Sequence, residues 1–324
     1  MQVIRDPLKS AELPRGGVAT IGNFDGLHLG HRKILEAVVS RAREIGKPSM
    51  AITFEPHPLA VLRPDQAPRR LQTLRQKEEV IESIGIDWLL VIPFTRDFSL
   101  TEPEDFVKGF LSQRLAVAEL RIGEHFAFGR GKRGSLELLR KMGPELGFVA
   151  SGVDEVLYKG EPISSTRIRT AIEAGLIPDA NAMFGREYEL EGIVSKGERV
   201  GRKIGYPTIN LASENDLYPA DGVYVTQIEI RSFGKRFDCV TNIGRRPTVY
   251  EDYATTIETY VLEFSSDVYG ERVRLFFFDR LREERKFPSV MELTQQIGRD
   301  IETTKEYFRN REAGRGTRDS APRT

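Results

Sequence analysis

Two histidines three residues apart, His28 and His31, close the stretch GNFDGLHLGH, and residues with helical apolar spacing follow directly. Such a pair can ligate a metal, pack in a core or handle phosphate. A zinc site wants three protein ligands, and Asp25 is the nearest further donor. The phosphate reading fits more of the segment. Gly22, Gly26 and Gly30 let backbone approach a ligand. A helix start offers free N–H donors and roughly half a positive charge. Imidazole N–H groups there can donate to phosphate oxygens whose charge grows in a transition state.

A second anion site is legible in ISSTRIR, where Ser165 and Thr166 open a helix and Arg169 lies about one turn on. A third element, GEHFAFGRGKRG, carries His125, Phe128, Arg130, Lys132 and Arg133 among glycines that can wrap a nucleotide. All four histidines, His57 included, fall beside predicted strand ends. Further along, Thr208 and Asn210 are two apart, so an extended chain sends both side chains to one face. Both have oxygen donors suited to a shared Mg²⁺, although alone they also read as a polar edge strand. Glu258 shares a strand face with Tyr260, Leu262 and Phe264, which predicts an inward carboxylate that is costly unless paired or working.

The elements that must position these groups change character along the chain. GVATIG, SMAITF and WLLVIPF read as buried strands. Helical patterns lie between them from His31 and over LQTLRQKEEVIESIG, and another runs to about Leu115, with Thr101 and Glu104 at capping-box spacing. Strand and helix in alternation predict an α/β domain, a Rossmann-like parallel sheet with flanking helices, whose ligands bind at the strands' carboxyl ends. From Tyr188 onward short strands punctuated by Gly and Pro predict a small antiparallel β-barrel or sandwich. A terminal helix follows, burying Val290, Leu293, Ile297, Ile301, Tyr307 and Phe308. The expected division is 1–183, 184–310 and a disordered tail at 311–324.

Composition excludes several classes. Lys plus Arg equals Asp plus Glu at 48 each, which gives no global basic excess for nucleic acid. Cys239 is the one cysteine, so neither an intrachain disulfide nor a cysteine zinc cage can form. No signal core or membrane-length apolar run is read, and a cytoplasmic location is expected.

The series GNFDGLHLGH, TFEPHP, FAFG with GKRG, and ISSTRIR resembles the adenylyltransferase domain of the bacterial bifunctional riboflavin kinase/FAD synthetase family. GRKIGYPTINL, PADGVYV, TNIGRRPTV, ETYVLEF with DVYG, and LREERKF resemble its kinase domain. The resemblance implies ATP-dependent phosphorylation of riboflavin to FMN, then adenylylation of FMN to FAD with release of pyrophosphate. It assigns His28 and His31 to the ATP phosphates, with Gly22, Asn23, Gly30, Ser165, Thr166, Arg169 and Gly197 as nucleotide or phosphate contacts. It makes Thr208 and Asn210 the Mg²⁺ ligands, Glu258 the general base and Phe128 a flavin contact; His125, in the same loop, is expected beside the flavin without support from the resemblance. Riboflavin, FMN, FAD and ATP are the implied partners, with no membrane or nucleic acid and no statement of oligomeric state. His125 stands where the family usually has Asp or Asn, Ile209 where it has a small residue, and Lys196 where it often has His. Two alternatives stay open: a flavin-binding regulator with one impaired domain, and a riboflavin kinase with weak adenylyltransferase activity.

Overall fold

The computed structural model describes residues 1–196, 201, 204–246 and 254–319. Its contacts divide it into two compact units, Met1–Ser165 and Thr166–Thr324.

The first unit is a six-stranded parallel sheet with spatial order β1-β4-β3-β2-β5-β6. Its strands are β1 (Gln2–Arg5), β2 (Val18–Ile21), β3 (Ser49–Glu55), β4 (Trp88–Pro93), β5 (Glu119–Gly123) and β6 (Val149–Val153). Its helices are α1 (Leu29–Glu44), α2 (Pro58–Leu62), α3 (Leu74–Ile84), α4 (Pro103–Asp105) and α5 (Leu136–Leu146). Strand alternation sends Ala19, Ile21, Met50 and Ile52 to one core, and Val18, Ala51, Leu89 and Val91 to another. Leu35, Val38, Val39 and Ala42 bury one face of α1 against the second of these. Helix α3 starts from a capping box of Thr73 with Gln76 and stops at Gly85, which is left-handed.

The expected capping box at Thr101 is absent. Glu102 precedes the helix with Pro103 at its first position, and the Thr101 carbonyl instead accepts the Arg130 amide at 2.9 Å. Helix α4 then widens into a π-helical stretch, Phe106–Arg114. A small hairpin, β7 (Leu157–Tyr158) with β8 (Glu161–Pro162), ends the unit.

Helix α6 (Ser165–Glu173) begins at the last residue of the first unit and runs on in the second, where α7 (Ile177–Phe184) follows. Ala220, in the segment leading into the strand at Gly222, donates to the Ile172 carbonyl of α6 at 3.3 Å, and Asn181 Nδ2 of α7 donates to the carbonyl of the strand residue Phe277 at 2.8 Å. A closed antiparallel barrel follows, ordered β10-β13-β12-β11-β14-β9. Its strands are β9 (Tyr188–Ser195), β10 (Thr208–Ser213), β11 (Gly222–Ile230), β12 (Lys235–Arg246), β13 (Ala254–Val261) and β14 (Arg272–Glu283). Inside it, Thr226, Thr241 and Thr259 form a hydrogen-bonded chain with contacts of 2.7 and 2.9 Å.

The terminal helix α8 (Val290–Asp319) packs Ile297 and Ile301 against Val223, Val240, Tyr260 and Leu262. Farther along, Tyr307 and Phe308 pack against Val225, Phe276 and Phe278. Val290, expected on the buried side, is 62% exposed at the first turn. The tail expected to be disordered from 311 is helical to Asp319. Arg311 anchors this extension, bonding Glu187 at 2.6 Å and stacking on Phe278. Residues 320–324 lie outside the described residues.

Candidate active sites

In the first unit the strand order turns around β2, with β3 on one side and β5 on the other. A crevice therefore opens at the carboxyl ends of these strands. The GNFDGLHLGH segment leaves β2 at that point. Phe24, Gly26 and Leu27 have φ of 46°, 86° and 42°, left-handed positions of which the two non-glycine ones are strained unless held. The surroundings hold them. Thr53 Oγ1 and Lys77 Nζ donate to the Asn23 carbonyl at 3.2 and 3.0 Å. Gln72 Nε2 donates to the Phe24 carbonyl at 3.2 Å. The Asp25 carboxylate accepts the Leu71 amide at 3.0 Å, and its carbonyl accepts Ser165 Oγ at 2.9 Å. Asp25 is thus a brace of the loop. Gly22 is required because a Cβ there would lie 2.9 Å from the Phe24 ring.

His28 caps α1. Its Nδ1 accepts the His31 amide at 3.4 Å, which leaves the ring proton on Nε2 as a donor. The two imidazoles stack at 3.8 Å and 20°. A Cβ on Gly30 would come within 3.2 Å of the His28 ring. His31 Nδ1 is buried with no hydrogen-bond partner. Burial, then the charges of His28 and Lys77, hold His31 well below the ordinary imidazole pKa. Imidazole donors at a helix start, at the sheet's switch point, have the chemistry to receive phosphate oxygens.

The other sequence candidates of this unit fare differently. His57 caps α2, its Nδ1 accepting the Leu59 amide at 3.2 Å. His125 follows β5 across the switch point and is 81% exposed, with Nε2 3.8 Å from Glu155. Phe128, expected as a flavin contact, is 6% exposed and packs against Phe106 and Phe126. It serves the core, and Gly134 is bare because a Cβ there would strike the Phe128 ring. Arg130 and Arg133 of the basic loop both pair with Glu102. Ser165 closes the first unit at the Asp25 carbonyl, while Thr166 and Arg169 belong to α6 in the second.

In the barrel, register does the assembling. Asn210 is directly opposite Glu258, and Thr208 opposite Tyr260. Asn242 faces Glu258 from the other side. Opposed residues of antiparallel strands share a face about 5 Å apart, so Thr208, Asn210, Glu258 and Asn242 form one polar patch. The expectation that Glu258 points inward is corrected. Ile257, Thr259 and Val261 take the barrel interior, and Tyr260 and Leu262 lie on the face packed by α8. Glu258 shares that outer face by alternation. Ile209, opposite Thr259, points the other way and adds no bulk to the patch. Gly201 backs it, since a Cβ there would lie 2.3 Å from the Tyr206 carbonyl. Gly197 lies outside the described residues.

An FAD synthetase family model matches residues 10–167, and a riboflavin kinase model matches residues 184–308. The bifunctional riboflavin kinase/FMN adenylyltransferase of Escherichia coli K12 is 35% identical over 310 residues, which is 95% of this chain and 98% of that protein. The chain belongs to this bifunctional family. The Haemophilus influenzae member is 34% identical over 95% of this chain and 99% of its own. A solved structure from Streptococcus pneumoniae, described as a macrolide-efflux protein, superposes with a TM-score of 0.85 at 28% identity, covering 94% of this chain and 98% of that one. Efflux is the description of that protein. Among the described residues here, no helix is long and apolar enough to cross a membrane.

For a riboflavin kinase/FMN adenylyltransferase, sequence reasoning missed Lys77 and Asn242. Lys77 lies in an ordinary helical pattern with nothing local to mark its burial. Asn242 was findable in principle, because strands paired in register around Glu258 place it there.

Proposed function

We propose that the barrel unit phosphorylates riboflavin and that the sheet unit adenylylates the resulting FMN, with residues 1–183 and 184–310 as the two catalytic divisions. The observation that carries this is two separate polar constellations, the stacked His28–His31 pair and the Asn210–Glu258 register pair, each inside its own family match.

In the kinase step the riboflavin 5′-hydroxyl oxygen bonds the γ-phosphorus of ATP as the bond to ADP breaks, and Glu258 takes the hydroxyl proton. Thr208 Oγ1 and the Asn210 side-chain oxygen flank Glu258 on one face. This all-oxygen set suits a hard cation. Mg²⁺ held there would supply charge neutralisation at the ATP phosphates. In the second step an FMN phosphate oxygen attacks the α-phosphorus of a second ATP in line, and pyrophosphate leaves. His28, through Nε2–H, and His31 donate to the phosphates, and the α1 amides add a positive end. Ser165, which donates to the Asp25 carbonyl of the loop, is assigned to the same nucleotide, with Gly22, Asn23 and Gly30 shaping the loop. His125 is assigned to the flavin side of this crevice, being exposed at the end of β5. ATP dependence supports a cytoplasmic location.

The test is incubation of the full chain with riboflavin, Mg²⁺ and ATP, with flavins resolved over time. FMN followed by FAD is expected, and absence of both products refutes the reading. FMN alone would favour the kinase with weak adenylyltransferase activity and direct attention to His125.

A further inference from the structure

Lys77 is buried beside the adenylyl-transfer loop, and the reaction as described gives it no role. It projects from α3 at 6% exposure, and its Nζ donates to the Asn23 carbonyl at 3.0 Å. An ammonium carries three donors, and among the described residues that carbonyl is its one hydrogen-bond acceptor. Burying a charge with so little compensation costs several kcal/mol, and an apolar side chain of similar length would avoid the cost. Burial lowers its pKa, while Asp25, Glu55 and Glu78 oppose that shift and Arg70 adds to it. The groups facing it are therefore Asp25 from the loop, Glu55 from β3, Arg70 from the segment before α3, Glu78 from α3 itself, and His31 from α1. The second observation is on His31, whose Nδ1 is buried with no partner and whose protonation Lys77 opposes.

We propose that Lys77 is a positioning residue for adenylyl transfer: its buried ammonium pins the Asn23 carbonyl and keeps a fixed positive charge beside the His28–His31 pair, preparing both imidazoles for polyphosphate. This rests on the adenylyltransferase reading of the first unit. Before ATP arrives, burial first, and the charges of His28 and Lys77 after it, oppose a proton on His31. Once phosphate oxygens enter, they offset Lys77 and favour a proton on His31, so ATP binding and proton uptake are linked.

The full chain has four histidines, few enough to follow each imidazole by NMR, with His→Gln variants for assignment. In Lys77→Met the His31 midpoint is expected to move up, and in Lys77→Arg to stay near that of the unmodified protein. kcat/KM for ATP in FAD formation should fall about tenfold in Lys77→Met, equivalent to ~1.4 kcal/mol, and recover in part in Lys77→Arg, with riboflavin phosphorylation unchanged in both. A purely structural lysine would lower the rate without moving His31, and an unmoved midpoint in folded Lys77→Met overturns the proposal. A second measurement needs no variant: inorganic pyrophosphate added to the unmodified protein should raise the His31 midpoint, and no change also overturns it. Failure of the unmodified protein to make FAD from FMN and ATP would instead refute the adenylyltransferase reading, and the two His31 titrations would still decide the placement of Lys77's charge.

Discussion

Asp300→Ala separates the contribution of one ion pair from that of the apolar contacts under α8. Arg282 Nε reaches the two Asp300 oxygens at 3.2 and 3.0 Å and Nη2 reaches one at 2.8 Å, while Gln296 Nε2 donates at 2.8 Å. The Asp300 side chain is 6% exposed and that of Arg282 is 19%. Removing one partner of a buried pair costs about 3–5 kcal/mol. Arg282 retains a route to solvent and a stacking contact with Phe287, which reduces the figure to about 2–3 kcal/mol. For a unit of this size that is a fall of about 4–12 °C in Tm. The chain has one tryptophan, Trp88, on β4 of the first unit. Trp fluorescence therefore reports the sheet, while far-UV dichroism and retained riboflavin phosphorylation after heating report the barrel. The barrel transition should move and the Trp transition should not. A barrel shift worth less than about 0.5 kcal/mol would show that apolar packing alone holds α8.

Replacing His28 and His31 together by alanine should cut FAD formation at least about 10²-fold while FMN still accumulates, as read by chromatography of the flavins. Glu258→Gln should do the reverse, lowering riboflavin phosphorylation about 10²–10⁴-fold while supplied FMN still becomes FAD. His31 also sets a pH dependence. Its native pKa lies below the ordinary 6.5, so between those values the unfolded chain binds more protons and stability rises with pH. The contribution is complete above about pH 6.5 and is lost on acidification. Trp-monitored unfolding at about pH 7.5 and about pH 5.5 should show this loss, and His31→Gln should flatten it.

What the chain reveals before folding follows the range of the interactions. The strand, glycine turn and helix around His28 are contiguous, so periodicity and punctuation are enough to place a turn that delivers both histidines to a helix start. The terminal helix was equally legible except at its ends. There, an exposed Val290 and the Arg311–Glu187 pair depend on partners elsewhere in the chain. Glu258 was found as an unusual carboxylate but given the wrong face, because alternation defines two faces without saying which one the barrel encloses. Only the partners of β13, and the helix covering its outer side, decide that. Phe128 was ambiguous for the same reason: an aromatic in a glycine-rich loop reads alike as a ligand platform or as core until Phe106 is known to lie beneath it. Lys77 was invisible, since one lysine among the charged residues of a helix has no local mark of burial.

The threonine chain inside the barrel can be given a direction. Thr226 Oγ1 donates to the Cys239 carbonyl at 3.3 Å. Its single proton is then spent, so Thr241 must donate to Thr226, and Thr259 to Thr241. One carbonyl thereby orients three hydroxyls on three successive strands. A slip of β13 by one residue would take the Thr259 donor away from the Thr241 oxygen, put a neighbouring side chain in its place, and carry Glu258 into the barrel interior. The same slip would separate Glu258 from Asn210 and Asn242. In the wrong register the barrel would bury an unpaired carboxylate and leave the Thr241 oxygen without its donor, so the inward hydroxyls and the outward Glu258 favour the same closure of the barrel.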